Sequence, residues 1–305
     1  MKSFIIDKNF DNIRLSKLLE KTTFGLPTSL MYKFIRKGKV RVDGKTIKKP
    51  DFTLCNGQKV DVYINDEFFD KNATETVDYS RVSDDIEIVY QDENILIANK
   101  PAGLSVHADE VNRFDNLINR AMAYLIKNGE YVPDESTFPP TLCHRIDRNT
   151  SGLVIIAKNG DALRIMNEII KNRLVKKYYY CMAYGVFNIN EETLHAYLLK
   201  KDGVSTVKVF AQATQGAKEI ITKYKVLKQH PNFAELEVEL ITGRTHQIRA
   251  HMAFIGHPLI GDGKYGSNKI NKEFNKKTQT LIAKKLEFLN DLPGLKYLEG
   301  KIFTI

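Results

Sequence analysis

Apolar residues recur along this chain with two periods, and the switches between them mark its elements. Leu15, Leu18 and Leu19, then Leu30, Met31, Phe34 and Ile35, fall at helical spacing and predict two helices. Pro27-Thr28-Ser29 offers the second helix an N-cap, and Gly38 a stop. Residues 39–47 then alternate polar and apolar around Asp43-Gly44, a hairpin signal, and residues 57–64 alternate again. Residues 65–83 are polar, acidic and without period, and read as a linker. Beyond it, residues 86–90 and 95–98 predict a strand–turn–strand. Phe114, Leu117, Ile118, Ala121, Met122 and Leu125 predict an amphipathic helix, and the proline-containing stretch 128–140 a loop. Residues 153–157 are uninterruptedly apolar and rich in β-branched side chains, as in a buried strand. A helix at 161–171 follows, then strands at 177–185, 193–198, 204–211, 218–227 and 233–241. Residues 242–252 pass from a glycine turn into a short helix. Strands of antiparallel type with interspersed helices predict an α+β fold rather than a βαβ series. No internal repeat is visible.

Charge sharpens the division into domains. The net charge is +9, and residues 1–64 carry 14 Lys/Arg against 6 Asp/Glu, so +8 of it lies there and +1 in the remaining 241 residues. Between Lys33 and Lys49 stand eight basic residues and one acid, Asp43. Such a concentration fits a polyanion, most simply nucleic acid; a solvated basic surface is the alternative. No run approaches the roughly 18 apolar residues of a membrane span, and the N-terminus lacks a signal-type apolar run. A soluble, cytoplasmic protein is expected. Cys55, Cys143 and Cys181 are scattered, which argues against a disulfide framework or a structural zinc site.

Candidate chemistry centres on His144-Arg145-Ile146-Asp147, just ahead of the buried-type strand. An aspartate between Arg145 and Arg148 is either an ordinary ion-pair partner or a functional carboxylate held by a rigid core. A second arginine-bearing turn, with Arg244 and Arg249, could converge on it, and an arginine at hand would favour the ionised form. Other motifs fail. The glycines at 261, 263 and 266 match G-x-G-x-x-G but follow no full strand. His246, His251 and His257 lack metal-ligand spacing, and Cys143 has no dedicated base beside it.

Two resemblances organise these observations. R-L-S-K-L-L over residues 14–19, S-L-M-Y-K-F-I-R-K-G-K-V-R-V-D-G-K over 29–45 and N-G-Q-K-V-D-V over 56–62 resemble the small α/β RNA-binding domain of the ribosomal-protein-S-four (αL) type. This implies that Lys33, Arg36, Lys37, Lys39, Arg41 and Lys45 lie on RNA phosphates. H-R-I-D-R-N-T-S-G-L-V-I-I-A-K over 144–158 resembles the signature of the RluA-type RNA pseudouridine synthases. K-Y-Y over 177–179 is similar to that family's K-x-Y strand. T-G-R-T-H-Q-I-R-A-H over 242–251, followed by G-H-P-L-I-G-D over 256–262, is similar to its third motif. Departures are Ile146 for leucine, Cys181 for alanine and Ile282 for histidine, and the polar stretch 267–278 looks like a local, mobile insertion.

The resemblance implies a largely antiparallel mixed sheet flanked by helices over 84–305, an RNA-binding domain over 1–64 and a linker over 65–83. It implies Asp147 as the catalytic aspartate, as nucleophile at ribose C1′ or as base. Arg145 would stand near a flipped uridine, Tyr179 would stack on it and guide a proton, and Arg249 would pair with Asp147; His144 joins the substrate-contacting group. No cofactor or metal is implied. The expected partner is ribosomal RNA, most simply of the large subunit, and the expected state a monomer. A tRNA substrate, a non-catalytic ribosome-assembly factor and a metal-dependent RNA hydrolase are the alternatives.

Overall fold

Two separate sets of buried apolar side chains divide the chain into units Met1–Asp78 and Tyr79–Ile305. The computed structural model describes residues 2–7, 10–24, 26–69, 77–108, 112–133, 138–201 and 203–305.

In the first unit, strand β1 (Lys2–Ile5) precedes helices α1 (Leu15–Thr22) and α2 (Thr28–Arg36), then strands β2 (Val40–Val42), β3 (Lys45–Thr46) and β4 (Lys59–Val62). The sheet order is β1-β4-β2-β3, all antiparallel. Leu15, Leu18 and Leu19 of α1 and Met31 and Ile35 of α2 bury the helical stripes against Val40, Val42, Val60 and Val62. Asp43 and Gly44 have φ of 47° and 78°, the left-handed pair that a two-residue hairpin turn requires. The N-cap expectation needs correction: Pro27 is itself the cap residue, in extended conformation, so Thr28 and Ser29 already lie inside α2 and no side chain caps it. Strand β1, too short and exposed to show a period, was not foreseen. The predicted linker is also structured at its start. A 3-10 turn at Asp66–Phe69 lays Phe69 against Phe4 and Phe68 against Phe34, at 6.0 and 6.3 Å between ring centroids. Its residues 70–76 lie outside the described ones, as do 134–137 of the predicted loop.

In the second unit, β5 (Glu87–Gln91) and β6 (Ile95–Lys100) lead to α3 (Leu117–Lys127), β7 (Thr141–Leu142), β8 (Ser151–Ala157) and α4 (Gly160–Lys171). Strands β9 (Val175–Tyr184), β10 (Glu191–Lys200), β11 (Val207–Phe210), β12 (Lys218–Gln229) and β13 (Phe233–Leu240) follow. Helices α5 (Gln247–Phe254) and α6 (Asn268–Glu273) and strands β14 (Leu281–Phe288) and β15 (Ile302–Thr304) complete it. The sheet runs β11-β10-β12-β13-β9-β14-β8-β6-β5, with β15 on β14 and β7 on β8. Its pairs are antiparallel except β14 with β8, so the fold is α+β with a mixed, largely antiparallel sheet.

Strand β8 is central to this arrangement. Val154 and Ile156 pack on one face with Leu117, Ala121 and Leu125 of α3 and Ile248 and Met252 of α5. Leu153, Ile155 and Ala157 pack on the other with Ala162, Met166 and Ile169 of α4. Burial on both faces is why this strand reads as a continuous apolar run. Gly152 is where β14 crosses: its φ is 115°, and a Cβ there would stand 2.3 Å from the Ala283 carbonyl oxygen. The predicted helix over 114–125 starts later than its apolar stripe, because Asn116 caps it by accepting from the Asn119 amide; Phe114 lies outside, exposed.

Candidate active site

The loop that carries Asp147 lies between β7 and β8 and is pinned along its length. At its start, the Cys143 amide donates to the Ile155 carbonyl at 2.9 Å, and the Ile155 amide donates to His144 Nε2 at 3.2 Å. The His144 imidazole is thus turned onto β8. Burial, with Lys177 nearby, pushes it down to about 3, so it is a neutral acceptor. At the end of the loop, the Thr150 amide donates to the Asp147 carbonyl at 3.1 Å. From the side, the Gly103 amide and Lys100 Nζ both donate to the Arg148 carbonyl, at 2.9 and 2.8 Å. Lys100 is fully buried and also donates to the Pro101 and Leu104 carbonyls. Burial draws this lysine down to about 8, against the opposing pull of Asp147. Lys100 was not foreseen; the only hint is a lysine closing the apolar strand pattern just before Pro101.

Helix α5 brings in the second arginine-bearing motif. Arg249, 5% exposed, donates from one terminal nitrogen to Asp147 Oδ2 at 2.9 Å. Its Nε and other terminal nitrogen grip Asp262 at 2.7 and 2.9 Å, a bidentate pair. Asp262 is fully buried. Its Oδ1 also accepts from the Lys264 and Tyr265 amides, and the guanidinium with these donors holds it below the usual carboxylate range against the cost of burial. A buried arginine satisfied on both edges cannot swing, so it fixes one oxygen of Asp147. Asp262 was not singled out from sequence, where it is one acid in a glycine loop. His246, at φ 55°, stands 3.9 Å from Asp147 Oδ2, and its Nδ1 meets the Tyr265 hydroxyl at 2.8 Å. Burial lowers its pKa and the Asp147 charge partly offsets this.

The glycine loop is braced in turn. Asn271 of α6 accepts from the Gly261 amide at 2.8 Å and donates to the Asp262 carbonyl at 3.1 Å. Phe274 packs edge-on against Phe233 and Tyr184. The stretch 267–278 is therefore anchored, which corrects the reading of it as a mobile insertion.

Tyr179 and Lys177 share a face of β9 and point towards the same place. One cleft is lined by Arg145, Asp147, Tyr179, His246 and Arg249. An adjoining cleft shares Arg145, Asp147, Tyr179 and Arg244 and adds His144 and Lys177. Burial first, and the charge of Asp147 second, raise the Tyr179 phenol well above its ordinary range, so it stays protonated. Arg145 is exposed at the rim. Cys143 does not offer a thiolate, since burial pushes its thiol up to about 12. Among the described residues, no group of three or more His, Cys, Asp and Glu side chains is placed to hold a metal ion. In this arrangement a carboxylate fixed at one oxygen faces an aromatic ring across a cleft with a basic rim. That suits a planar, anionic-backboned substrate.

The six basic residues marked in the first unit are all exposed. Lys33 and Arg36 lie on the last turns of α2, Lys37 and Lys39 in the turn after it, Arg41 on β2 and Lys45 on β3. They share the end of α2 and the hairpin. The Arg36 Nε donates to the Tyr32 carbonyl, and the Arg41 guanidinium lies 5.2 Å from the Tyr63 ring centroid.

Comparison with known proteins gives the following. Residues 94–254 match the RNA pseudouridylate synthase family, and residues 13–60 match the S4 domain. An uncharacterized RNA pseudouridine synthase of Mycoplasma pneumoniae is 32% identical over 288 residues, 93% of this chain and 87% of that protein. Ribosomal large subunit pseudouridine synthase C of Vibrio vulnificus is 31% identical over 270 residues, 87% of this chain and 80% of its own length. Among solved structures, human RNA pseudouridylate synthase domain containing 4 shares the fold. Its TM-score is 0.57 at 23% identity, over 72% of this chain and 87% of that one.

Proposed function

The chain belongs to the RNA pseudouridylate synthase family, and from that premise we propose that it converts uridines of large-subunit ribosomal RNA to pseudouridine, with Asp147 as the catalytic residue. The observation that carries this reading is the Asp147 carboxylate, held at Oδ2 by an arginine locked on Asp262, beside the Tyr179 ring. The choice of RNA rests on two supports: several relatives are named for the ribosomal large subunit, and the first unit matches the S4 domain.

The reaction is an isomerisation. The bond from uracil N1 to ribose C1′ breaks with its electron pair on N1, the base turns, C5 bonds to C1′, the C5 proton is lost to solvent and N1 takes up a proton, so the product is an isomer of the substrate. The target nucleotide must first leave the stack, and Arg145, exposed at the rim, would occupy the space vacated. Asp147, with Oδ2 fixed by Arg249, presents its other oxygen to the ribose. Tyr179, kept protonated, offers a ring to stack on the uracil and a hydroxyl to guide the C5 proton. In the first unit, the exposed cations at the end of α2 and on the hairpin hold phosphates, which position the RNA without reading its sequence.

The test is to map pseudouridines in ribosomal and transfer RNA from a strain lacking the protein, complemented with wild type or with Asp147→Asn. Sites in large-subunit RNA lost in the deletion, restored by wild type and not by the variant, are expected. Loss confined to transfer RNA would move the substrate, and no lost site would sink the reading.

A further inference from the structure

His246 stands just ahead of α5, where a helix commonly places a side chain that caps its first amides. It caps none of them. Its backbone is left-handed, at φ 55°, a conformation that costs a non-glycine residue free energy and is kept where surrounding contacts require it. The imidazole lines the cleft of Asp147 and Arg249 instead, with 12% of the side chain exposed. Nε2 is the nitrogen 3.9 Å from Asp147 Oδ2, and Nδ1 the one that meets the Tyr265 hydroxyl at 2.8 Å.

That hydroxyl decides which ring nitrogen carries the proton. Tyr265 Oη accepts from the Val207 amide of β11 at 2.8 Å. A phenol oxygen keeps one lone pair in the ring plane, so this bond fills its acceptor site and leaves it one proton to donate. Among the described residues, that proton has one acceptor, His246 Nδ1. A neutral His246 therefore carries its hydrogen on Nε2, the nitrogen next to Asp147. Burial holds His246 below its ordinary pKa, with Asp147 and Asp262 opposing and Arg249 and Lys264 assisting, so the neutral form is the one present at pH 7. Tyr265 is itself held in place. Its ring lies 5.3 Å from the Arg249 guanidinium and edge-on to His246 at 5.6 Å, and Lys264 beside it donates to the Ser205 carbonyl at 3.1 Å. The chain of contacts starts on the edge strand β11 and ends at Asp147.

We infer that His246 is a positioning residue for Asp147: its Nε2–H, set by Tyr265, is a second donor beside Oδ2 and closes to hydrogen-bond distance once RNA fills the cleft. This role rests on the reading of Asp147 as the catalytic residue. Donor contacts at active sites are commonly long in the free enzyme and tighten in the complex. With Arg249 and His246 both on Oδ2, the carboxylate cannot turn about its Cβ–Cγ bond, and Oδ1 alone is left to face the ribose. A neutral donor suits the place. A second cation would favour the bare anion further and make it a poorer nucleophile or base, whereas an imidazole N–H orients it without that charge.

The test uses the full chain labelled with nitrogen-15 at histidine, without RNA, beside tritium release from a large-subunit ribosomal RNA transcript. The His246 nitrogens, assigned by their absence from His246→Gln, should show a protonated Nε2 and a bare Nδ1 at neutral pH. Tyr265→Phe should mix the two tautomers and raise the pH at which His246 takes up its second proton, because Nδ1 then has no donor to displace. His246→Ala should lower kcat about tenfold, the scale of one hydrogen bond to a charged group, with KM within about twofold. His246→Gln keeps an N–H near the place of Nε2 and should recover most of that loss. Tyr265→Phe, which serves where His246→Ala fails to fold, should lower kcat about threefold with KM unchanged. A wild type with the proton on Nδ1 overturns the inference. So does a His246→Ala kcat equal to wild type, or a loss that His246→Gln does not relieve, while Asp147 keeps its role. A wild type that forms no pseudouridine overturns the proposed reaction and the role with it, and is told apart because the tautomer is read without RNA.

Discussion

The two regions where this chain concentrates charge are built on opposite plans. In the first unit, six cations stand exposed on α2 and a hairpin, and their contacts are loose. Around Asp147 the charges are buried and each donor has a named acceptor: Arg249 is 5% exposed, Asp262 not at all, and three of the guanidinium nitrogens meet carboxylate oxygens at 2.7–2.9 Å. The first plan makes a field, which adds up, tolerates substitution and is screened by salt. The second makes a geometry, which does not add up and fails when one member shifts. Recognition can therefore be diluted residue by residue, whereas chemistry is lost at a single contact.

The largest effect expected from this contrast is at Asp262. Asp262→Asn leaves the buried Arg249 with one carboxylate. The account predicts a fall in kcat of about 100-fold, the scale of an ångström's misplacement, with RNA affinity within about twofold of wild type. It also predicts destabilisation of about 3–5 kcal/mol, the scale of a broken buried pair. Single-turnover tritium release and thermal unfolding would read the two separately. A kcat near wild type would mean that Arg249 holds Asp147 without its anchor.

Acid should separate the units next. All seven histidines lie in the second unit. His251, 1% exposed, is held by burial at about 4, against an ordinary 6.5. The unfolded chain takes up that proton near 6.5 and the folded chain only near 4. This stabilisation is therefore complete above 6.5 and is lost as pH falls from 6.5 to 4, on the order of 3 kcal/mol. Denaturant titrations between pH 7 and pH 4.5 should show the second unit losing stability, and His251→Asn should flatten that loss. An equal pH dependence in the variant would assign it elsewhere.

A smaller effect is expected from diluting the field. Lys37→Ala, Lys39→Ala and Arg41→Ala combined should weaken binding to ribosomal RNA about tenfold at moderate salt and flatten the salt slope by about 2–3, with kcat at saturation unchanged. A changed kcat would show that the first unit also shapes the chemistry. The smallest is at Asn271. Asn271→Ala removes two hydrogen bonds from the loop bearing Asp262, for a loss of about fivefold in kcat that Asn271→Asp should only partly restore, since it keeps the acceptor for the Gly261 amide and not the donor. No change in kcat would reduce the α6 stretch to a surface feature.

What was legible in the sequence follows the same contrast. The alternation in 233–241 and the apolar run in 153–157 show up as β13 and β8, because a strand's burial pattern is written in its own residues. The basic excess of residues 1–64 was visible as a sum. The basic rim of the cleft at Asp147 was not, since the cations and acids of residues 65–305, 32 and 31 of them, average away when their positions are unknown. Asp262 and Asn271 carry no periodic signal, and only tertiary contact reveals that one anchors Arg249 and the other braces the loop. Lys100 runs against residue type, as a lysine buried entirely on three carbonyls. Strands β1 and β15 are short edge pieces, too brief for a period to show. The α6 stretch looked loose because its composition is polar, yet Asn271 and Phe274 fasten it.

The central claim is that Asp147 performs the chemistry and that RNA holding lies elsewhere. It is tested most directly by tritium release from ribosomal RNA carrying 5-tritiated uridine, measured for Asp147→Asn beside wild type with RNA binding measured on the same samples. The account predicts release from wild type, a fall beyond about 10⁴-fold in the variant, and binding within about twofold. Release by the variant at a rate near wild type would contradict it.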